Sequence, residues 1–158
     1  DEGVEMPKEN VELLSLAGEV AEDLRPAADK RSLTISVDGQ TAVVFGVRRL
    51  LYEMLYNLCD NAIKYNRPDG SVRIHVESRA QDAVVSVLDT GIGIAPEHQS
   101  RIFERFYRVD KSHSKASGGT GLGLSIVKHA AMYHGGKVEL ESQVGSGTEI
   151  RVTLPLPR

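Results

Sequence analysis

An apolar repeat over residues 47–65 constrains the fold more than any other feature of the sequence. Apolar side chains recur there at intervals of three and four residues for four turns, which is the pattern of an amphipathic helix with one buried face. The repeat therefore predicts a long helix over 47–65. Its apolar face consists of Val47, Leu50, Leu51, Met54, Leu55, Leu58, Cys59, Ala62 and Ile63.

The rest of the chain mixes helical and strand patterns. Further helices are predicted over 10–31, 96–103 and 122–133, although Pro26 disfavours the second half of the first. Residues 107–120 lack apolar periodicity and are rich in Ser and Gly, which predicts a loop. Strands are predicted over 33–37, 42–45, 72–76, 83–88, 138–140 and 150–154, with a turn at 38–40. This mixture predicts an α/β (α+β) two-layer sandwich, with a mixed β-sheet backed by three main helices.

The composition limits the classes of protein that are possible. With 158 residues, the chain is predicted to be one domain over 1–158 with its own core. No apolar run approaches the ~20 residues of a membrane span, and a net charge of −3 argues against nucleic-acid binding. The single cysteine, Cys59, excludes an intramolecular disulfide and a Cys-rich zinc site. Because the first residue is Asp1 and not Met, we expect a segment of a longer protein.

A polar stripe runs along the long helix beside its apolar face. Glu53, Asn57, Asn61 and Lys64 fall within about 80° of arc. Amide oxygens are hard neutral ligands that suit Mg²⁺ alongside phosphate oxygens, and a lysine adds a point charge for phosphate. The same stripe could equally be a polar helix edge that forms local hydrogen bonds.

Two glycine-rich segments follow in the second half of the chain. Asp89–Ile94 comes directly after a predicted strand, where a carboxylate could accept a hydrogen bond from an exocyclic amine such as that of adenine. Gly91 and Gly93 would allow positive φ and close approach to a ligand, or would simply form a turn. Gly119–Ser125 opens a predicted helix, whose free N–H groups can bind phosphate. Its context excludes a dinucleotide-binding fingerprint, and no GxxxxGK[ST] motif occurs.

A basic stretch separates the two glycine-rich segments. Residues 101–117 carry five Lys and Arg residues against two acids, which indicates either a local anion site or a solvated charged surface. Ile102–Arg108 could place its aromatic side chains in the core and its Arg residues toward phosphates. Gly145–Thr148 is predicted to be a hairpin turn.

The order and spacing of these segments resemble the catalytic, ATP-binding domain of sensor histidine kinases, in the GHKL superfamily with gyrase and the ninety-kilodalton heat-shock chaperone. The form is similar to the bacterial phosphate-sensor and cell-wall-sensor kinases. The resemblance extends from about Val11 to Leu156. The matching segments are Asn57–Tyr65 (N box), Asp89–Ile94 (G1 box), Ile102–Arg108 (F box), Gly119–Leu124 (G2 box) and Gly145–Thr148 (G3 element).

The resemblance implies a Bergerat fold with a flexible ATP lid at about 107–120, and it implies a role for each matching residue. Asn61 would be the main Mg²⁺ ligand with Asn57 assisting, and Tyr65 would lie near adenine. Asp89 would bind the adenine amine. The residues expected to bind ATP are Asn57, Asn61, Lys64, Tyr65, Asp89, Gly91, Gly93, Ile94, Gly119, Thr120, Gly121, Leu122, Gly123, Leu124 and Thr148. The residues expected to act in catalysis are Asn57, Lys64, Arg105 and Arg108, with the two arginines near the γ-phosphate.

The resemblance also implies a reaction and partners. The domain would transfer the γ-phosphoryl group of Mg-ATP to a histidine on a separate dimerisation domain of its parent, for relay to a response regulator. None of the five histidines here lies in a good acceptor motif. The parent would be a bacterial inner-membrane receptor with this domain in the cytoplasm, without direct membrane contact.

Two other functions remain open from the sequence. The chain could be a non-catalytic nucleotide-binding regulator, although the residues of the boxes are retained. It could also be a GHKL-type ATPase or serine kinase. Against that reading, an ATPase would need an acid at Asn57, and the Phe103–Arg108 segment belongs to histidine kinases.

Overall fold

A five-stranded mixed sheet forms one layer of the fold, and helices cover one of its faces. The computed structural model describes residues 6–107 and 123–158. The strands are β1 (Glu9–Glu12), β2 (Thr34–Gly39), β3 (Val43–Gly46), β4 (Ser71–Ser78), β5 (Asp82–Asp89), β6 (Lys137–Gln143) and β7 (Gly147–Pro155). The helices are α1 (Leu13–Lys30), α2 (Arg48–Lys64), α3 (Pro96–Gln99) and α4 (Gly123–Tyr133).

The strand order of the main sheet is β2-β4-β5-β7-β6. β2 pairs with β4 in parallel, and the other neighbours are antiparallel, so the sheet is mixed as predicted. β1 and β3 form a separate antiparallel ribbon. β5 is the central strand, and its end at Asp89 lies opposite Thr148 at the start of β7. This register brings two segments that are distant in sequence to one point.

The core lies between the sheet and the three main helices, as the sequence predicted. In α2, the buried residues are those of the predicted apolar face from Leu51 to Ile63, while Leu50 stays partly exposed. α1 and α2 pack on β4, and α4 packs on α2 and β6. Cys59 is fully buried, and burial raises the pKa of its thiol to about 12. In the part of the chain that the structure describes, no helix combines the length and the apolar character that a bilayer crossing needs.

Helix α1 begins at Leu13, three residues after its predicted start, because residues 9–12 form β1. Val11 is buried in the core. Because a helix or a strand at this position would bury it equally, the apolar pattern alone could not distinguish a helix from a strand here. The helix starts at Leu13 because the Glu12 carboxylate accepts hydrogen bonds from the N–H groups of Leu14 and Ser15, at 2.8 and 3.1 Å. These contacts satisfy two of the unpaired donors of the first turn.

The second half of α1 is helical despite Pro26. The proline is exposed, so the carbonyl group that loses its helical partner can bind water. Leu24 and Ala28 are buried on either side of it. Their packing against the core maintains the helix beyond the point where helix propensity disfavours it.

Several other boundaries differ from the sequence prediction. α3 ends at Gln99, because the chain from Arg101 to Phe106 makes turns instead of continuing to residue 103 as helix. The predicted turn at 38–40 begins late, since parallel pairing with β4 continues to Gly39. β6 and β7 are each longer than predicted. The predicted lid lies, apart from residue 107, outside the described residues.

We expect Glu12→Ala to lower the free energy of unfolding by about 1 kcal/mol at neutral pH, because a helix cap is lost. Burial alone would raise the pKa of Glu12, but the N–H groups of Ala42, Leu14 and Ser15 lower it overall. A carboxyl with a lowered pKa stabilises the fold above its unfolded pKa and loses that effect as the pH falls through its folded pKa. Urea unfolding of both proteins should therefore differ at pH 7 and converge in acid. Glu9→Ala, at an exposed neighbouring position, is the control, and an equal difference at both pH values would contradict the cap.

Candidate functional site

The candidate site is centred on Asp89, where the central strand ends. Asp89 Oδ1 accepts hydrogen bonds from the backbone N–H groups of Gly91, at 2.8 Å, and Thr148, at 3.2 Å. Burial raises the pKa of this carboxyl to about 6, although the two N–H groups act in the opposite direction. Both hydrogen bonds go to Oδ1, so Oδ2 is the oxygen that a ligand could use.

Gly91 and Gly93 are required by the protein's own backbone. A Cβ on Gly91 would lie 2.4 Å from the carbonyl oxygen of Tyr65, at the end of α2. Gly93 has a φ of 77°, and a Cβ there would lie 2.2 Å from the carbonyl oxygen of Gln143. Of the two predictions for these glycines, close approach to a ligand or a simple turn, the structure supports a requirement of the turn itself, because the backbone at the end of α2 and at the end of β6 lies against them.

The loop after β5 is fixed between α2 and the β6–β7 turn. The N–H of Ile92 donates to the carbonyl oxygen of Tyr65 at 3.1 Å, and the N–H of Gly145 donates to the carbonyl oxygen of Ile92 at 2.9 Å. The N–H of Ile94 donates to Ser142 Oγ at 2.8 Å. Ser142 Oγ also forms a hydrogen bond with Thr148 Oγ1 at 2.8 Å, so the hydroxyl of the buried Thr148 has a partner within the protein.

The polar stripe of α2 lies half-buried beside α4. The Asn57 Nδ2 donates to the carbonyl oxygen of Glu53 at 2.7 Å, which fixes the orientation of the amide. Its Oδ1 lies near α4, since a Cβ on Gly123 would be 3.2 Å from that oxygen. Asn61 lies one turn further along α2. Lys64 Nζ pairs with the Asp60 carboxylate at 2.9 Å, so the predicted phosphate contact is held by an acid on its own helix.

A groove of about 610 Å³ lies beside the first half of α2, and Asp89 is not among the residues that line it. The exposed guanidinium of Arg105 lines this groove together with Phe103 and lies 5.3 Å from the Phe106 ring. Arg105 therefore faces a groove that does not include Asp89. The groove is lined by Leu50, Glu53, Phe103, Arg105, Ser125, Ile126, Lys128, His129, Ala130 and Met132.

The structure brings several of the predicted site residues together. Gly91 and Thr148 donate to Asp89, Gly93 and Ile94 lie in the loop that follows it, and the carbonyl oxygen of Tyr65 holds that loop at Ile92. Asn57 and Gly123 are neighbours, and Leu124 packs against the core. The remaining predicted residues lie outside the described residues, namely Arg108, Gly119, Thr120, Gly121 and Leu122.

Sequence reasoning missed three residues that hold the loop. Asn66 Oδ1 accepts a hydrogen bond from Thr90 Oγ1 at 3.1 Å, and Thr90 Oγ1 in turn accepts one from the N–H of Ser71 at 2.8 Å. Arg67 and Ser142 are the other two. The sequence offers one signal for Asn66 and Arg67, which is that they directly follow the long helix. It offers none for Ser142.

Solved structures that align with this chain include histidine kinase catalytic domains. The catalytic domain of histidine kinase ThkA, in a nucleotide-free form, aligns with 96% of this chain and 100% of its own length at a TM-score of 0.81 and 28% identity. Full-length ShkA in complex with AMPPNP aligns with 96% of this chain and 32% of its own, at a TM-score of 0.84 and 29% identity. The architecture is thus the one that the sequence resemblance implied.

Sequence comparison gives the same class. The sensor-like histidine kinase SenX3 of Mycolicibacterium smegmatis is 42% identical over 146 residues, which are 92% of this chain and 38% of SenX3. The model of the histidine kinase-, DNA gyrase B- and HSP90-like ATPase family matches residues 46–158. The chain belongs to this family, and it is an ATPase-type domain of the kind that sensor histidine kinases contain. It spans little more than a third of the length of such relatives.

Proposed function

We propose that residues 1–158 form the single ATP-binding catalytic domain of a sensor histidine kinase. The domain binds Mg-ATP and transfers the γ-phosphoryl group to a histidine on a separate dimerisation domain of the parent protein. The observation that carries this proposal is the Asp89 carboxylate, whose Oδ1 is held by two backbone N–H groups and whose Oδ2 remains for a ligand.

Asp89 accounts for a preference for adenine. The exocyclic amine of adenine is a hydrogen-bond donor, and a carboxylate oxygen is an acceptor. Guanine carries an acceptor oxygen at the equivalent ring position, so it would face Asp89 Oδ2 with like polarity. We therefore expect adenine nucleotides to bind and guanine nucleotides to be rejected.

The donor set on α2 fits Mg²⁺. Because the Asn57 amide nitrogen is engaged by Glu53, its oxygen is directed away from that contact and can bind a hard cation. Asn61 offers a second amide oxygen one turn along. Among the described residues, no group of three or more His, Cys, Asp or Glu side chains could hold a metal ion, so the ion would rely on these amides and on phosphate oxygens. Bound Mg²⁺ supplies charge that neutralises the triphosphate.

The other residues that the sequence resemblance assigned to the site would serve the phosphates. Lys64, Arg105 and Arg108 would supply positive charge, and the backbone N–H groups of residues 119–124 would bind phosphate oxygens. During transfer, a nitrogen of the acceptor histidine bonds to the γ-phosphorus while the bond to the β-phosphate oxygen breaks, and ADP leaves. Asn57 cannot act as a base toward water, which favours transfer to histidine over hydrolysis.

The partners follow from this reaction. The parent's dimerisation domain presents the histidine, and the receiver domain of a response regulator takes the phosphoryl group onto an aspartate. Nucleic acid is not a partner of a chain with a net charge of −3. We place the domain in the cytoplasm, as part of a bacterial inner-membrane receptor, with no membrane contact of its own.

Calorimetric titration with ADP, ATP and GDP, with and without Mg²⁺, tests the binding step. We expect adenine nucleotides to bind more tightly with Mg²⁺ and GDP to bind at least tenfold more weakly, since about 1.4 kcal/mol corresponds to tenfold. A folded sample that binds none of them would overturn the proposal and favour a non-catalytic docking role. Addition of the parent's dimerisation domain should then yield phosphohistidine, whereas steady phosphate release by this chain alone would favour an ATPase.

A further inference from the structure

The Arg67 guanidinium, just beyond the end of α2, contacts the backbone of two separate segments. Its Nε donates to the carbonyl oxygen of Thr90 at 2.6 Å, and its Nη2 donates to those of Gly91 at 3.2 Å and Gly145 at 2.6 Å. Thr90 and Gly91 follow β5 directly, and Gly145 lies in the β6–β7 turn. A single side chain therefore joins the loop that follows Asp89 to the β6–β7 turn.

The planarity of the peptide bond carries this contact to Asp89. The carbonyl group of Thr90 and the N–H group of Gly91 belong to the same peptide unit. Arg67 fixes the carbonyl on one side, and the N–H on the other side donates to Asp89 Oδ1. The next peptide unit is fixed likewise, since Gly91's carbonyl accepts from Arg67 while the N–H of Ile92 donates to Tyr65.

An arginine suits this place for two reasons. Its planar fork can donate to several acceptors at fixed angles, whereas a lysine ammonium acts as a point charge. Its charge also strengthens each hydrogen bond to a carbonyl group. Within residues 6–107 and 123–158, Arg67 forms no salt bridge with a carboxylate, so its charge is directed to these carbonyl groups.

We infer that Arg67 is a positioning residue for nucleotide binding, which orients Asp89 toward the base through the peptide units of Thr90 and Gly91. This inference rests on the proposed function, because it assigns Asp89 the recognition of adenine. It goes beyond that function by naming a residue that acts through the backbone carbonyl groups to which its guanidinium donates. Arg67 would set how well the site distinguishes adenine from guanine.

The test compares Arg67→Ala and Arg67→Lys with the wild type. Arg79→Ala is the matched control, since Arg79 is also exposed but pairs with Glu77 at the opposite end of β4. We expect Arg67→Ala to weaken Mg-ADP binding about tenfold and to reduce the preference for ADP over GDP, from the loss of hydrogen bonds to a charged group. Arg67→Lys should restore part of the affinity, because a lysine can reach only one of the two segments. Wild-type affinity and base preference in Arg67→Ala would overturn the inference.

A second readout does not depend on nucleotide. The carboxyl pKa of Asp89 can be followed by NMR in the free protein, where burial raises it and the N–H groups of Gly91 and Thr148 lower it. In Arg67→Ala, the hydrogen bond from the Gly91 N–H to Asp89 should weaken, and the pKa of Asp89 should therefore rise. An unchanged titration of Asp89 would refute the positioning role of Arg67. If the wild type binds no nucleotide, the proposed function fails, and the titration still decides whether Arg67 orients Asp89. Should Arg67→Ala fail to fold, the same titration in Arg67→Lys decides the matter in the same way.

Discussion

Asp89→Asn is expected to abolish most adenine-nucleotide binding while it stabilises the free protein. The asparagine oxygen would take the place of Oδ1, because that position accepts from the N–H groups of Gly91 and Thr148. The amide NH₂ would then occupy the place of Oδ2 and face the adenine amine, donor against donor. Loss of one hydrogen bond to a charged group, about 1.5–3 kcal/mol, predicts a loss of ADP affinity of about ten- to hundredfold or more.

The stability change has the opposite sign. The pKa of Asp89 is about 6 in the folded protein, above its ordinary value of 3.8. A carboxyl with a raised pKa favours the folded state while it is protonated, and this advantage is lost as the pH rises through about 6. The ionised carboxylate therefore costs about 3 kcal/mol at neutral pH. Asp89→Asn removes this cost, which should raise the melting temperature of the free protein by about 6–12 °C.

Calorimetry with ADP and thermal melts across the pH range measure both effects. Asp82→Asn is the control, because Asp82 begins the same strand at its far end. That variant should bind ADP like the wild type. If Asp89→Asn keeps wild-type affinity, then Asp89 does not recognise the base, whatever the melts show. If ADP affinity in the wild type is the same on both sides of the Asp89 pKa, the assignment is equally untenable.

Asn61→Ala is expected to remove the dependence of nucleotide affinity on Mg²⁺. In the wild type, ADP should bind more tightly with Mg²⁺ than with a chelator, and in the variant the two affinities should coincide. Loss of one contact with a charged ligand predicts an effect of about ten- to hundredfold in the presence of Mg²⁺. Asn61 is half-buried on the edge of α2, outside its buried face, so the melting temperature should change little.

The neighbouring Asn57 provides a graded comparison. Asn57→Ala also removes the hydrogen bond to Glu53, so it should lower both Mg²⁺-dependent affinity and stability. Asn10→Ala, at an exposed position on β1, is the control for loss of an amide far from α2. An Asn61→Ala protein whose melts shift on addition of Mg-ADP as those of the wild type do would exclude Asn61 as the ligand.

The sequence predicted what is encoded by short-range patterns. The buried face of α2 was predicted residue by residue, since four turns of apolar spacing allow few alternatives. Asp89, Gly91 and Gly93 could be proposed as site residues because their chemistry lies within five consecutive positions. By contrast, β1 was assigned to the first helix, because Val11 is buried in either conformation and only the contacts of the Glu12 carboxylate decide where α1 begins.

The sequence could not predict contacts that depend on the folded sheet. Ser142 contacts Ile94, which is 48 residues away in the sequence, and Arg67 contacts Thr90, which is 23 residues away. Neither Ser142 nor Arg67 belongs to a periodic pattern. Their roles arise from the register between β5 and β7, which sequence periodicity does not specify. The same holds for Arg105, whose position in the α2–α4 groove could not be inferred from its place in a basic stretch.

The pairing of Asp89 with Thr148 has a consequence for the order in which the protein is made. The two residues are 59 positions apart, so the carboxylate lacks one of its two backbone donors until β7 has been synthesised and has docked beside β5. A nascent chain that has emerged only as far as α4 already contains almost every residue of the pocket. It should nevertheless be unable to retain nucleotide, because closure of long-range strand pairs is a late step in folding. Nucleotide retention would thus report completion of the sheet during translation.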